Sequence, residues 1–367
     1  MEPVTHLLTG ACLGRAGFNR RTAYATLAMT LAAEAPDLDV LWSLGGPVAG
    51  FEHHRGISHT LLGAPFVALA VTGVVYLWHR LRKKAPVAED SRKTPPPRWA
   101  LLWFFSFLAV LSHLLLDFTN NYGLRPFFPF NPRWYSWDIV FIFEPLMFLA
   151  LLGALVMPAL FGLADREMGA RRQPFRGRGW AIAALVFVVA MYTVRNAEHR
   201  RALGLMREAN IVEPVLRVAA EPYPVNPFRW HGIAETADFY QSGSIDTRAD
   251  TVETDSSDNV LYKPPVTMAT LAAKRSWLGH VYLDWSSWPL VTDLGRQPAP
   301  GYEAARDGKG GLPEPLPDWH TVEFRDLRFS YSVMFLGNAK TPPLTGWVYL
   351  GPGEEVEAML LNGREQK

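Results

Sequence analysis

His113 and Asp117 stand four residues apart inside the apolar run Trp99–Phe118. Residues at i and i+4 share one face of a helix, so this imidazole and this carboxylate can address a single ion. An ionisable side chain within such a run is costly unless it faces a polar interior. Groups of the same chemistry recur nearby: His6 close to the start, Asp37 and Asp39 behind Pro36, His53, His54 and His59 in Glu52–His59, and Asp138 further on. Imidazole mixed with carboxylate suits zinc, and also manganese or iron. These groups outnumber the four positions around one tetrahedral ion, so the expectation is one or two divalent metals, zinc first, with a bridging water between a pair. Arg55 would hold an anionic substrate group or developing negative charge. Asp39 or Asp138 would act as general base or orient a ligand from behind.

Each residue also has a plainer reading. His6 on an apolar face can be a satisfied core histidine. Asp37 and Asp39 can be helix-end and turn residues, and His53-His54 a solvated loop. Ser58 reads as a cap for a helix starting at His59 rather than as a nucleophile, and there is no Gly-x-Ser-x-Gly elbow. His79, His199, His231, His280 and His320 lie in basic flanks or in the second half and are read as structural or solvent-facing. The pair inside the span is the hardest to explain without a ligand.

The elements that must position these groups are membrane helices. Crossing a bilayer takes about 20 apolar residues, and the sequence offers Ala23–Trp42, His59–Leu81, Trp99–Phe118, Ile139–Leu163 and a shorter Trp180–Val194. Val4–Phe18 is too short and reads as a half-helix or surface helix. Arg15, Arg20 and Arg21 form one basic group. Arg80, Arg82, Lys83, Lys84, Arg92, Lys93 and Arg98 form a second, and Arg166, Arg171, Arg172, Arg176 and Arg178 a third. They alternate so as to share one side, which the positive-inside rule makes cytoplasmic. Asp37, His59, Asp117 and Asp138 then fall at the opposite face, and His6 joins them if its helix dips in from there.

Beyond about Asn196 the texture changes to short alternating runs between Gly, Pro and Asp turns: Val215–Ala219, Trp230–Thr236, Ser244–Thr247, Val322–Tyr331 and Gly346–Leu350, with a short helix at Val266–Lys274. The expected fold is an α-helical polytopic membrane bundle over 1–200, about five spans plus a short N-terminal helix. A β-rich α+β soluble domain over 201–367 follows, placed outside the cytoplasm. Arg195, Arg200 and Arg201 after the last span argue mildly against that side, although long domains translocate regardless of charge. A chain of 367 residues with 49% hydrophobic content fits a membrane half averaged with a soluble half. A formal net charge of +1 gives no reason to invoke nucleic acid. The single cysteine, Cys12, excludes an internal disulfide or a multi-thiolate zinc site. Glu2 without a basic segment before the first apolar stretch does not read as a cleaved signal peptide.

Thr5-His6, Ala35-Pro36-Asp37-Leu38-Asp39, His54-Arg55-Gly56-Ile57-Ser58-His59 and Ser112-His113-Leu114-Leu115-Leu116-Asp117, followed by Tyr122-Gly123, carry a resemblance. The chain resembles the bacterial inner-membrane proteins grouped as membrane-bound metal-dependent hydrolases, whose best-known member is regulated by the SOS repressor LexA. The likeness runs over about Met1–Pro145, and Asn226-Pro227-Phe228-Arg229-Trp230 is similar to a stretch some members carry later. It implies His6, Asp37, His54, His59, His113 and Asp117 as metal residues. Glu144-Pro145 departs from the expected Asp-Pro, leaving Asp138 and Glu144 as alternatives for completing the site.

The expected activity is metal-dependent hydrolysis of an ester or phosphoester, with a membrane lipid or other amphiphile as the partner molecule. The alternative is a non-catalytic membrane protein whose polar or metal cluster staples the helices while the β-rich domain binds a partner. A transporter is a third reading. It fits less well, because the polar groups crowd one end of the spans and no internal repeat is visible.

Overall fold

Glu2 accepts hydrogen bonds from the backbone N–H groups of Val4 and Thr5, and Pro3 occupies the first turn, so the chain enters helix α1 (Pro3–Ala16) at once. The computed structural model describes residues 1–82, 95–168, 176–254, 259–297, 319–331 and 342–366. Lys83, Lys84, Arg92, Lys93, Arg171 and Arg172 of the basic groups lie outside the described residues. The chain divides into two units. The first comprises Met1–Leu38, Arg55–His199 and Pro224–Pro227, and the second Asp39–His54, Arg200–Tyr223 and Phe228–Lys367.

In the first unit α1 packs on α2 (Ala25–Glu34) without room for side chains between them. A Cβ at Gly10 would lie 2.4 Å from the Met29 carbonyl oxygen, and one at Gly14 would lie 2.5 Å from Thr26 Cα. Facing them, α2 buries Ala25, Ala28, Ala32 and Ala33. This small-residue contact lets two backbones approach closely, as in membrane helix pairs. Arg98 N–H donates to Thr22 Oγ1 (2.8 Å), and Arg178 Nε donates to the Ala16 carbonyl (3.0 Å). The α1–α2 turn therefore sits at the basic ends of the helices that begin near Arg98 and Arg178.

The expected span Ala23–Trp42 is not one helix. Pro36 has no N–H and disfavours helical backbone at Ala35, so α2 stops at Glu34. The chain runs on as a 3-10 helix, Ala35–Gly45, followed by α3 (Pro47–His53). The expected span from His59 is also shortened. His59 closes a 3-10 turn, Ile57–His59, and α4 (Ala64–Leu81) starts only behind Gly63. Ser58 is therefore no helix cap, and Thr60 Oγ1 is the side chain that takes the Gly63 N–H (2.8 Å). Next come α5 (Trp99–Thr119), α6 (Pro145–Glu167) and α7 (Arg178–Glu208). Asp138 does not open α6. Val140 forms a parallel bridge with Asn120, and the helix waits for Pro145. Among the described residues four helices, α4 to α7, are long and apolar enough to cross a membrane, one fewer than the five expected.

One core of this unit joins α2, α4 and α5 through Ala28, Ala32, Ala68, Val71, Leu102 and Ala109. A second joins α1, α6 and α7 through Cys12, Met147, Leu151, Ala181 and Ala184. Arg195 on α7 is buried and donates through Nη2 to Glu144 (2.6 Å). Glu144 also accepts the Val225 N–H at 3.0 Å.

The second unit holds two antiparallel sheets. The first runs β1 (Arg217–Pro222), β2 (Arg229–Glu235), β3 (Phe239–Asp246), β4 (Thr251–Glu253), with β5 (Val260–Tyr262) also paired to β3. The second is ordered β10-β9-β8-β7-β6, from β6 (Pro289–Asp293), β7 (His320–Asp326), β8 (Gly346–Leu350), β9 (Val356–Leu361) and β10 (Arg364–Glu365). The helices α8 (Met268–Arg275) and α9 (Trp277–Trp285) stand between the sheets in sequence. Thr267 and Thr270 form a capping box on α8, and Ser276 caps α9. Ala202 and Met206 of α7 pack with Trp230, Ala234 and Ile245. On α3, Phe51 meets Tyr282 and Trp285, and Gln366 Oε1 accepts the Val48 N–H at 2.9 Å.

Asp326, at the end of β7, anchors one corner of this unit. It accepts from Ser286 Oγ (2.6 Å), Ser287 N–H (3.1 Å) and Arg328 Nη2 (2.8 Å). Burial alone would raise its pKa, but the Arg328 guanidinium and these hydrogen bonds outweigh it and hold the carboxyl below its ordinary value of 3.8. A depressed carboxyl stabilises the fold above its unfolded pKa, and that contribution is lost as pH falls through the folded value. Thermal melts should therefore show an acid-side loss of stability below about pH 3.8 that Asp326→Asn diminishes. At pH 7 the same substitution should cost about 3 kcal/mol, as removal of one member of a buried pair does.

Candidate metal centre

The end of α2 creates the first fixture of the site. Carbonyls in a helix's last turn lack intrahelical donors, and Pro36 has no N–H to offer the Ala33 oxygen. His113 fills the gap: its Nδ1 lies 2.7 Å from the Ala33 carbonyl. A carbonyl only accepts, so Nδ1 carries the proton and Nε2 presents a lone pair. The 3-10 backbone after Pro36 then swings Asp37 toward that nitrogen, with Oδ1 3.6 Å away. His59 arrives from its own 3-10 turn. Its Nε2 lies 3.2 Å from Asp37 Oδ1 and 3.0 Å from His113 Nε2, while Ser58 Oγ sits 3.1 Å from its Nδ1. Asp117, one helical turn beyond His113, completes the set. Its Oδ2 is 3.3 Å from His113 Nε2 and 3.5 Å from His59 Nε2.

Asp37, His59, His113 and Asp117 thus bring one ligand atom each within 4.8 Å of one another. The five separations given above span 3.0 to 3.6 Å. Ligands about 2.0 Å from a tetrahedral zinc are separated by about 3.3 Å, so the group has the dimensions of a coordination shell. Asp117 Oδ2 is buried and has no hydrogen-bond partner. An orphaned carboxylate oxygen facing two imidazole nitrogens in an apolar bundle is the surrounding a divalent cation satisfies. The residues fit a metal.

Asp117 is held from behind by Arg55. This buried guanidinium donates through Nη2 to Asp117 Oδ1 (2.7 Å) and through Nη1 to Asn120 Oδ1 (3.3 Å) and the Gly123 carbonyl. It also lies over the Tyr122 ring, 4.6 Å from the centroid. Arg55 takes a left-handed backbone, φ 55°, to reach this position. Gly123, at φ 80°, turns where a Cβ would strike the Tyr135 carbonyl oxygen at 2.9 Å. The Met1 amino group also contacts Asp117 Oδ1. One carboxylate oxygen is thereby tied to cations, and the other is left for the shell.

His6 lies against this centre. Its ring stacks on His113 with centroids 3.7 Å apart, and its Nε2 is 3.4 Å from Asp117 Oδ1 in a geometry that makes no hydrogen bond. It is outside the four-residue shell, as is His54, which pairs with Asp39 (Nδ1 to Oδ1, 3.1 Å) in the second unit. Asp138 stands in the loop before α6 with φ 56°. Glu144 is occupied by Arg195 and the Val225 N–H and also lies outside the four-residue group. The geometry therefore brings together four of the six expected metal residues, sets His6 beside them, and assigns Arg55 to Asp117. Asn120 and Tyr122-Gly123 were not read as Arg55's cradle. Asn120, a polar side chain three residues beyond Asp117, was the signal for it. Likewise Gly10-x-x-x-Gly14 opposite an Ala-rich segment announced the α1–α2 contact that brings His6 in.

Residues 1–202 match the family described as YdjM inner membrane protein. The chain belongs to that family. The match covers α1 to most of α7 and so contains the whole centre. Together with four apolar helices it makes the chain a multi-pass membrane protein. The chain is also similar to the uncharacterized protein YfhP of Bacillus subtilis (strain 168), 26% identical over 165 residues. That stretch is 43% of this chain and 46% of the relative, so the chain matches less than half of that protein's length. No solved structure matches.

If the four residues form a coordination shell, His113→Ala and Asp117→Ala should each strip most bound metal from purified protein, read by elemental analysis, while the spans still insert. His54→Ala, outside the shell, should leave metal content unchanged. Arg55→Met should leave Asp117 Oδ1 without its side-chain cation at depth and cost about 3–5 kcal/mol of stability.

Proposed function

We propose that this YdjM-family protein is a membrane-bound hydrolase whose centre, built from Asp37, His59, His113 and Asp117, holds one divalent metal, zinc by preference. The observation that carries the reading is the combination of an imidazole–carboxylate shell with one partly open member. The side chains of His59, His113 and Asp117 are fully buried, whereas that of Asp37 is 12% exposed. Substrate and water would reach the centre past Asp37.

A metal in this shell supplies Lewis acidity toward a carbonyl or phosphoryl oxygen and lowers the pKa of water. The protein's own groups do the rest. The Ala33 carbonyl fixes the tautomer of His113, Arg55 holds Asp117 in one orientation, and the surrounding apolar helices keep bulk water out. His6, with both ring nitrogens buried and without a hydrogen bond, is the group available for a second ion or for a proton. Asp39, bonded to His54, and Asp138 lie outside the four-residue shell. A centre formed by the far turns of α5 suits an ester or phosphoester at the headgroup level of a lipid or other amphiphile.

The β-rich unit is placed outside the cytoplasm in this reading. Arg195 and Arg201, which argued for the other side, are paired with Glu144 and Asp250 and act within the fold. A periplasmic reporter fused after Lys367 should be active, and a cytoplasmic-type result would reverse the orientation.

A structural centre is the second reading, because four protein ligands can close a tetrahedron and leave no position for substrate. The two part on turnover. Detergent-solubilised protein should hydrolyse at least one of a panel of lipid and water-soluble esters and phosphoesters, lose that activity to a chelator, and regain it with zinc. Retained metal with no turnover on any of them would leave the structural reading standing.

A further inference from the structure

The 3-10 helix behind Asp37 holds an apolar ridge in the open. Leu38, Val40, Leu41 and Trp42 are 56–62% exposed and Leu44 is 88% exposed. Scattered apolar residues on a surface need no explanation, but a continuous run of them does. This run is also well fastened. Asp39 is the residue that turns inward, bonded to His54 at the other end of the Asp39–His54 excursion. Gln366 Nε2 donates to the Gly45 carbonyl (2.8 Å), Trp277 Nε1 donates to Glu52 (3.0 Å), and the His53 ring meets Trp42 edge-on, centroids 4.3 Å apart. Polar atoms are tied down on the inner side while the large apolar side chains face outward.

The residues that flank the excursion in sequence are outward and apolar too. Before it, α2 presents Leu27 and Leu31 outward. After it, Ile57, Leu61 and Leu62 do the same, followed by Phe66 and Leu69 on α4, which is a membrane span. Outward apolar residues on a span face acyl chains. The chain thus runs from the ridge into the outward apolar surface of the span α4, and the ridge begins one residue after Asp37, which is held against the last turns of α5. Tryptophan among aliphatic side chains at such a boundary is the composition of a headgroup-level anchor.

We infer that Leu38–Leu44 is a lipid-contacting ridge, inserted in the bilayer interface at the end of the spans that carries the metal centre. Its occupant is the lipid itself rather than a protein partner, because the chain on either side of it carries outward apolar side chains and runs on into the membrane span α4. On the hydrolase reading, and resting on it, the ridge keeps the chain just beyond Asp37 at the depth where an amphiphile's ester group travels.

Cys12, the single cysteine, is buried, so Cys12→Ser gives a background for site-specific spin labels. The full chain, in nanodiscs of phosphatidylethanolamine and phosphatidylglycerol, would carry a nitroxide at Leu41→Cys or Leu44→Cys. Leu69→Cys serves as lipid control and Ala249→Cys as water control. Oxygen should broaden the signals at 41 and 44 more than a water-soluble nickel chelate does, as at position 69. The pattern of position 249 would overturn the inference. So would protection from both reagents, which would mean protein cover, with disulfide-linked dimers through Leu41→Cys identifying a second copy. A background in which 69 and 249 report lipid and water is correctly folded and inserted. Because the readout needs neither metal nor turnover, failure here is separate from failure of the hydrolase reading.

Discussion

An ionised carboxylate within an apolar helix cannot stand alone. Its desolvation penalty amounts to several kcal/mol even after relaxation, and Asp117 answers it with partners drawn from much of the first unit. Arg55 comes from the segment between α3 and α4, and His113 from one turn back on α5. His59 comes from its 3-10 turn, and His6 from α1. Remove that carboxylate and these elements lose their common reason to converge. The buried Arg195–Glu144 pair applies the same rule on a smaller scale, joining α7 to the segment before α6.

Convergence requires the helices to stop early. A helix through Pro36 would carry Asp37 around its own axis, and one beginning at His59 would commit that imidazole to a helix face. In both places the chain shifts to 3-10 geometry, where the rise is greater and side chains are re-aimed. The same interruption leaves the Ala33 carbonyl for His113, so the helix end and the tautomer of that histidine are one feature. Gly63 shows how closely this is built, since a Cβ there would lie 2.0 Å from the Ile57 carbonyl oxygen.

The second unit was legible where strands alternate and obscure where they do not. Trp230–Thr236 and Gly346–Leu350 correspond to β2 and β8, and Val266–Lys274 to α8. Only the end of β3 was read, and β6, β9 and α9 were missed. The sequence Trp277–Trp285, with Gly279 and two tryptophans, carries neither clean period. Gly279 is needed because a Cβ would lie 2.2 Å from the Ala273 carbonyl oxygen where α9 follows α8. In Val322–Tyr331 the strand ends at Asp326, whose side chain takes up the Arg328 N–H and starts a 3-10 turn. That is a local polar bond invisible to hydropathy.

Sequence alone determined the chemistry on offer and its approximate address. His113 and Asp117 at helical spacing in an apolar run, with Asp37 and His59 at the same ends of neighbouring segments, required a shared polar interior, because lipid solvates none of them. Tertiary structure decided membership. His54 and Asp39 sit among the metal-type residues in order, yet pair with each other in the second unit. Arg55, a candidate for substrate, is bound to Asp117 instead. Which donor enters a coordination shell depends on side-chain direction to within a fraction of an ångström, and that direction is set by where helices end and how closely their backbones pack. A hydropathy pattern records neither.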